Sequence, residues 1–91
     1  MKVLIGEYFD KDTDKISDKK VLFSLADFIE NLSTVDRLSE IKHCKKLKGH
    51  KSAYRIKIGQ FRVGFIFENQ TRKLIRFLPR KNIYLHFPVD R

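Results

Sequence analysis

Residues 52–67 read SAYRIKIGQFRVGFIF, and this stretch decides the fold. Two runs of alternating apolar and polar residues flank Gly59-Gln60, the pattern of two half-buried strands joined by a two-residue turn in which glycine supplies the positive φ. With the turn there, the register pairs Ile58 with Phe61, Lys57 with Arg62, Ile56 with Val63, Arg55 with Gly64 and Tyr54 with Phe65. One face of the hairpin is then wholly apolar. The other sets Lys57 directly opposite Arg62, with Arg55 one pair further along, and like charges facing each other on a ladder are destabilising by about 0.2–1 kcal/mol. Stability alone gives no reason to keep such a pair, and an anion held between the strands would relieve it. The alternative is that both side chains extend into water at trivial cost. Gly64 adds weight to the anion, because a strand glycine often marks a close approach by another group.

Working outward, a third alternating run, Arg72 to Leu78, follows the turn residues Glu68-Asn69-Gln70-Thr71. A three-residue connection would align Ile75 and Phe77 with the apolar face and Arg76 with the basic one, whereas a two-residue connection would put Arg76 inside; the first is expected. Residues 79–88, PRKNIYLHFP, read as a short helical turn or extended tail. On the other side, residues 2–9 (KVLIGEYF) are rich in β-branched and aromatic types and predict a first strand, ended by the polar run 10–18. Ser17 is the expected N-cap of an amphipathic helix with Asp18 in its first turn, reaching Asn31 or Leu32. Its apolar stripe is Val21, Leu22, Leu25, Phe28, Ile29 and Leu32. Leu38, Ile41 and Leu47 suggest a short helical or extended connector. The order implies one α+β domain over residues 1–91, a curved and mainly antiparallel sheet with N-terminal helices packed on one face.

The charge is divided between the halves of the chain. Twenty Lys and Arg oppose eleven Asp and Glu in 91 residues, a net of +9, yet residues 1–40 carry six basic and nine acidic side chains and residues 41–91 carry fourteen and two. Between Ile41 and Phe67 there are eight Lys or Arg and no carboxylate. An ordinary solvated face mixes signs, so the second half points to an anionic partner, nucleic acid first. A hydrophobic content of 42% with eight Phe suffices for a small core. A single cysteine, Cys44, excludes a disulfide framework, and it reads as a half-buried small hydrophobe whose cationic surroundings could favour its thiolate. The opening MKVLIGEYF is too short for a signal-peptide core or a membrane span; the chain reads as cytoplasmic, with no membrane partner.

Adjacent His43 and Cys44 and the isolated His50 and His86 show no metal-ligand spacing, and no phosphate-binding glycine loop is present, so neither metal nor cofactor is expected. What remains suits RNA. Arg55, Lys57, Arg62 and Arg80 could grip a phosphodiester, while Tyr84, His86 and Phe87 offer rings for a splayed base. A metal-free ribonuclease needs a base for the ribose 2′-OH, cations for the developing charge and a proton source for the leaving 5′-oxygen. Lys57, beside Arg62 and Arg55, has neighbours that disfavour its ammonium form, which is what a basic lysine requires. Arg62 would then neutralise the scissile phosphate, Arg80 support it and Tyr84 orient the attacking group or stack on a base; for Tyr84 the alternative is core packing beside Ile83 and Phe87. Lys46, Lys48, Lys51 and Lys81 are expected to contact RNA, together with His86.

Residues 45–88, KKLKGHKSAYRIKIGQFRVGFIFENQTRKLIRFLPRKNIYLHFP, resemble the RelE/ParE superfamily of bacterial toxins, whose pattern runs L.G....YRI..G.(Y/F)RV, a strand, then HR..(I/V)Y. The resemblance implies a small RelE-like fold and a type II toxin silenced by a cognate antitoxin. RelE-type members are mRNA endoribonucleases that act on the ribosome by 2′-OH attack without metal. Carried over, Arg55 and Lys57 match the two basic positions of the first strand, Lys57 being the family's base; Arg62 matches the arginine of the next strand, and Arg80 and Tyr84 those of the terminal motif. Pro79 stands where many relatives have histidine, so a histidine acid is missing there unless His86 substitutes. ParE-type members share the sheet but inhibit DNA gyrase, and a catalytically degenerate RNA-binding toxin is a third reading. Arg55, Lys57, Arg62, Arg80 and Tyr84 together favour the ribonuclease.

Overall fold

A computed structural model describes residues 2–88. The elements run β1 (Lys2–Ile5), α1 (Glu7–Asp14), α2 (Lys19–Thr34), a 3-10 turn (Leu38–Glu40), β2 (Cys44–Lys46), β3 (Ala53–Ile58), β4 (Phe61–Glu68), β5 (Thr71–Pro79) and α3 (Arg80–His86). The five strands form one sheet in the order β1-β5-β4-β3-β2, antiparallel except for β1 beside β5. The α+β expectation and the mainly antiparallel sheet both hold. So does the hairpin: Gly59 turns it at φ 58°, and the five pairs from Ile58–Phe61 to Tyr54–Phe65 are those expected.

The first strand is shorter than its composition suggests. Gly6 ends it because the chain there lies against β5: the Gly6 N–H donates to the Leu74 carbonyl at 2.8 Å, and a Cβ on residue 6 would stand 2.6 Å from that oxygen. Residues 7–14 form α1 instead, a helix that buries only Phe9 and Asp12. The Asp12 carboxylate accepts from the Phe77 N–H at 2.9 Å and from Arg76 Nε and Nη2 at 2.9 and 3.0 Å. A helix whose buried face includes a carboxylate has no apolar stripe to read. The second helix begins one residue later than expected, with Asp18 as N-cap accepting from the Lys20 N–H at 2.9 Å. It buries Leu25, Phe28 and Leu32 and packs Val21 and Ile29 at the margin, while Leu22 lies on the exposed side of the stripe.

The β4–β5 connection has two residues, not three. Asn69 and Gln70 both take positive φ, 50° and 62°, so Glu68 pairs with Thr71 and the inward positions become Arg72 and Leu74. A register shift at Gly64/Phe65, which pair with Arg76 and Leu74, inserts Ile75 as an extra residue and returns Phe77 to the core. Ile75 therefore packs on the opposite face, and Arg76 is held by Asp12 rather than joining the basic face. Arg72 is fully buried; its Nη1 donates to the Leu32 carbonyl and its Nη2 to that of Asp36 at 3.4 Å, so a cation satisfies carbonyls at the end of α2. Phe67 covers the guanidinium with its ring centre 5.1 Å away.

Two apolar layers result. α1 and α2 cover one sheet face through Phe9, Leu25, Phe28 and Leu32 against Ile56, Ile58, Val63, Phe65, Leu74 and Phe77. On the other face α3 lays Ile83 and Phe87 over Ala53, with Leu47, Ile66, Ile75 and Leu78 around them. That second layer covers only part of the face and leaves the Arg55–Lys57–Arg62 end open.

Candidate functional site

The pairing of Lys57 with Arg62 fixes the centre of the site, since both side chains leave the sheet on the face opposite Ile56 and Val63. Arg62 Nη1 donates back to the carbonyls of Gly59 at 3.1 Å and Phe61 at 2.9 Å, which ties its guanidinium to the turn. α3 brings the remaining groups. Its first N–H, that of Arg80, donates to the Gln60 carbonyl at 3.0 Å, so the helix starts against the hairpin turn. Ile83 and Phe87, both buried, then set its rotation, and Tyr84 faces outward at 56% exposure. Tyr84 is thus not a core residue; the core role belongs to its neighbours Ile83 and Phe87.

Gly64 explains how α3 comes so close. A Cβ there would stand 2.5 Å from Cγ and 2.8 Å from Cε2 of Phe87. The close approach that a strand glycine signals is made by the chain's own aromatic ring, not by a ligand. With that ring seated, the Arg55 guanidinium lies over the Tyr84 ring, 4.6 Å from its centre. The Tyr84 phenol is drawn below the usual range for tyrosine, first by the positive charge of Arg55, then by a hydrogen bond from Arg80 and by the charge of Arg62.

All five residues singled out for catalysis, Arg55, Lys57, Arg62, Arg80 and Tyr84, line one open cleft of about 410 Å³. The other walls are His43, Cys44, Lys45 and Ile56. The five residues expected to contact RNA outside the centre do not line it: Lys46, Lys48, Lys51, Lys81 and His86 are exposed elsewhere. Register explains Lys46. Lys45 pairs with Arg55 and so shares the cleft face, whereas Lys46 pairs with Tyr54 and points to the other side. Lys45 and His43 were invisible to pattern reading because β2 is three residues long and identifiable only through its pairing with β3.

Cys44 pairs with Ile56 and packs against the main core. Burial pushes its thiol up, with the nearby Arg72 charge opposing that in part, so its cationic surroundings do not yield a reactive thiolate. Among the described residues no cluster of His, Cys, Asp and Glu could hold a metal ion, and no helix is long and apolar enough to cross a membrane. The arrangement is chemically specific: five cations, an accessible aromatic ring and an imidazole converge on a space open enough for a phosphodiester.

No family model matches the chain. Toxin RelE3 of Methanocaldococcus jannaschii is 34% identical over 89 residues, which span 97% of this chain and 100% of that protein. Among solved structures, the RelB-RelE antitoxin-toxin complex from Methanococcus jannaschii matches with a TM-score of 0.80 and 29% identity, covering 93% of this chain and 99% of that one. The archaeal RelE-RelB complex from Pyrococcus horikoshii shares the fold with a TM-score of 0.71 at 22% identity, covering 87% and 93%.

Proposed function

The chain belongs to the RelE family of toxins, and from that premise we propose that it is the toxin of a type II toxin-antitoxin pair that cleaves mRNA on the ribosome without metal. The observation that carries this reading is the convergence of Arg55, Lys57, Arg62, Arg80 and Tyr84 on one cleft. Solved relatives in complex with RelB support a cognate antitoxin as partner.

In this reading Arg62 and Arg55 hold the non-bridging oxygens of the scissile phosphate. Facing cations that repel each other in the empty site become an asset once the phosphorane forms, because the charge they stabilise is larger in the transition state than in the ground state. Lys57 accepts the 2′-OH proton. Tyr84, polarised by Arg55 and Arg80, orients the attacking ribose or stacks on its base, and Arg80 adds charge from the helix side. The 2′-oxygen bonds to phosphorus as the 5′-oxygen departs, leaving a 2′,3′-cyclic phosphate and a 5′-hydroxyl. Without a ribosome to present the message, free RNA is a poor substrate.

Induced expression followed by 5′-end mapping of cellular transcripts tests the reading. New ends within translated frames are expected; growth arrest without them overturns it. An in vitro supercoiling assay separates the gyrase-directed alternative, which would give inhibition of gyrase with intact messages.

A further inference from the structure

With Lys57 as base, the arginines on the phosphate and Tyr84 orienting the attacking group, the departing 5′-oxygen has no assigned proton donor. Pro79 precedes Arg80 where a histidine would serve, and His86, at the other end of α3, does not line the cleft. Guanidinium groups surrender protons poorly, so the arginines cannot readily fill the role. One imidazole does line the cleft: His43, immediately before β2.

We propose that His43 is the general acid of this cleft, an assignment that rests on the ribonuclease reading. The sheet order puts the candidate groups in sequence across one face. His43 and Lys45 come from the β2 flank, Arg55 and Lys57 from β3, Arg62 from β4, and Arg80 and Tyr84 from α3, whose Tyr84 ring lies against Arg55. Displacement at phosphorus is in line, so the attacking and leaving oxygens lie on opposite sides of the phosphate. The assignment sets the attacking ribose by Lys57 and Tyr84 and the leaving oxygen across the phosphate from them, toward His43. Histidine is the side chain whose charge ordinarily changes between pH 5 and 8, which makes it the suitable donor on that flank.

Two further features fit. His43 closes the turn into β2 in the left-handed region at φ 63°, a conformation histidine adopts more readily than most side chains. It also borders a second cleft of about 560 Å³ that shares Ile56 and Lys57 with the first, so His43 stands where the two clefts meet. The step balances. The 2′-OH gives its proton to Lys57, the 2′-O–P bond forms, the P–O5′ bond breaks, and the imidazolium N–H passes its proton to the departing 5′-oxygen.

The test uses two messages on programmed ribosomes, one with the natural 5′-oxygen at the cleavage position and one with a bridging 5′-sulfur. A thiolate leaves without protonation. His43→Asn is the variant of choice, because asparagine tolerates the left-handed backbone, and circular dichroism with a thermal melt checks its fold. General acid catalysis contributes about 10²–10⁴-fold, and a loss in that range is expected on the oxygen message with recovery to near the wild-type rate on the sulfur message. Lys57→Gln should be slow on both. A His43→Asn protein that cleaves the oxygen message at the wild-type rate, or is equally slow on both, overturns the assignment. If Lys45→Gln gives the sulfur rescue instead, the donor is Lys45 and the assignment fails. Wild-type protein inert on both messages overturns the ribonuclease reading along with it.

Discussion

Gly64→Ala joins the packing of α3 to the chemistry of the cleft, and its effect can be worked from the contact it creates. The added methyl group would lie 2.5 Å from Cγ and 2.8 Å from Cε2 of Phe87, against an ordinary carbon contact of about 3.5–4.0 Å. The ring has to retreat by roughly 1 Å. Gly64 sits on β4 between β3 and β5, paired with Arg55 and Arg76, so the sheet does not yield; the seven-residue α3 does. Overpacking of this kind costs about 1–3 kcal/mol. Since α3 carries Arg80 and Tyr84, the same displacement should lower cleavage about 100-fold, the penalty of a 1 Å misplacement. The assay is a double-mutant cycle by urea denaturation. Phe87→Ala alone should cost about 3–5 kcal/mol, but with the ring gone Gly64→Ala should cost less than about 0.5 kcal/mol, giving a coupling of most of the single-mutant effect. Equal cost of Gly64→Ala in both backgrounds would refute the account of why residue 64 is glycine.

Other perturbations follow from single contacts. Asp12→Ala strips the buried Phe77 N–H and Arg76 of their shared acceptor and should destabilise by about 3–5 kcal/mol in a urea melt, the range for breaking a buried pair. Lys57→Gln relieves the facing charges, so stability should hold or rise by up to about 1 kcal/mol while cleavage is lost. The Tyr84 phenol should ionise at a lower pH than an ordinary tyrosine by absorbance titration, and Arg55→Gln should move that transition upward. Because its folded-state pKa is depressed, the associated stabilisation is fully present above the unfolded phenol value and is lost as pH falls through the folded one. Lys48→Gln, outside the cleft, should weaken RNA binding across sequences and reduce the log–log salt slope by about 1, leaving the chemical step unchanged.

The hairpin was legible because two physical requirements agree there: strict alternation on both sides of a glycine that can take positive φ. From it came the facing pair, and with α3 the five residues that converge on the cleft. α1 was illegible for the opposite reason. EYFDKDTD buries a carboxylate rather than a stripe, and nothing local distinguishes Asp12 from its exposed neighbours. The β4–β5 turn misled because Asn69 and Gln70 both take positive φ without glycine, and because Arg72, of a residue type ordinarily found at the surface, finds backbone carbonyls and an aromatic face inside. His43 and Lys45 reach the cleft through a three-residue edge strand of lysines and cysteine that only its partner strand defines. Long-range pairing, not local preference, put them there.

The central claim is that this cleft cuts RNA by attack of the ribose 2′-hydroxyl. Mass spectrometry of the fragments from mRNA on programmed ribosomes reads it directly. The account predicts an upstream fragment ending in a 2′,3′-cyclic phosphate and a downstream fragment beginning with a 5′-hydroxyl, both absent with Lys57→Gln. Fragments bearing a 3′-hydroxyl and a 5′-phosphate, or an intact message with wild-type protein, would contradict it.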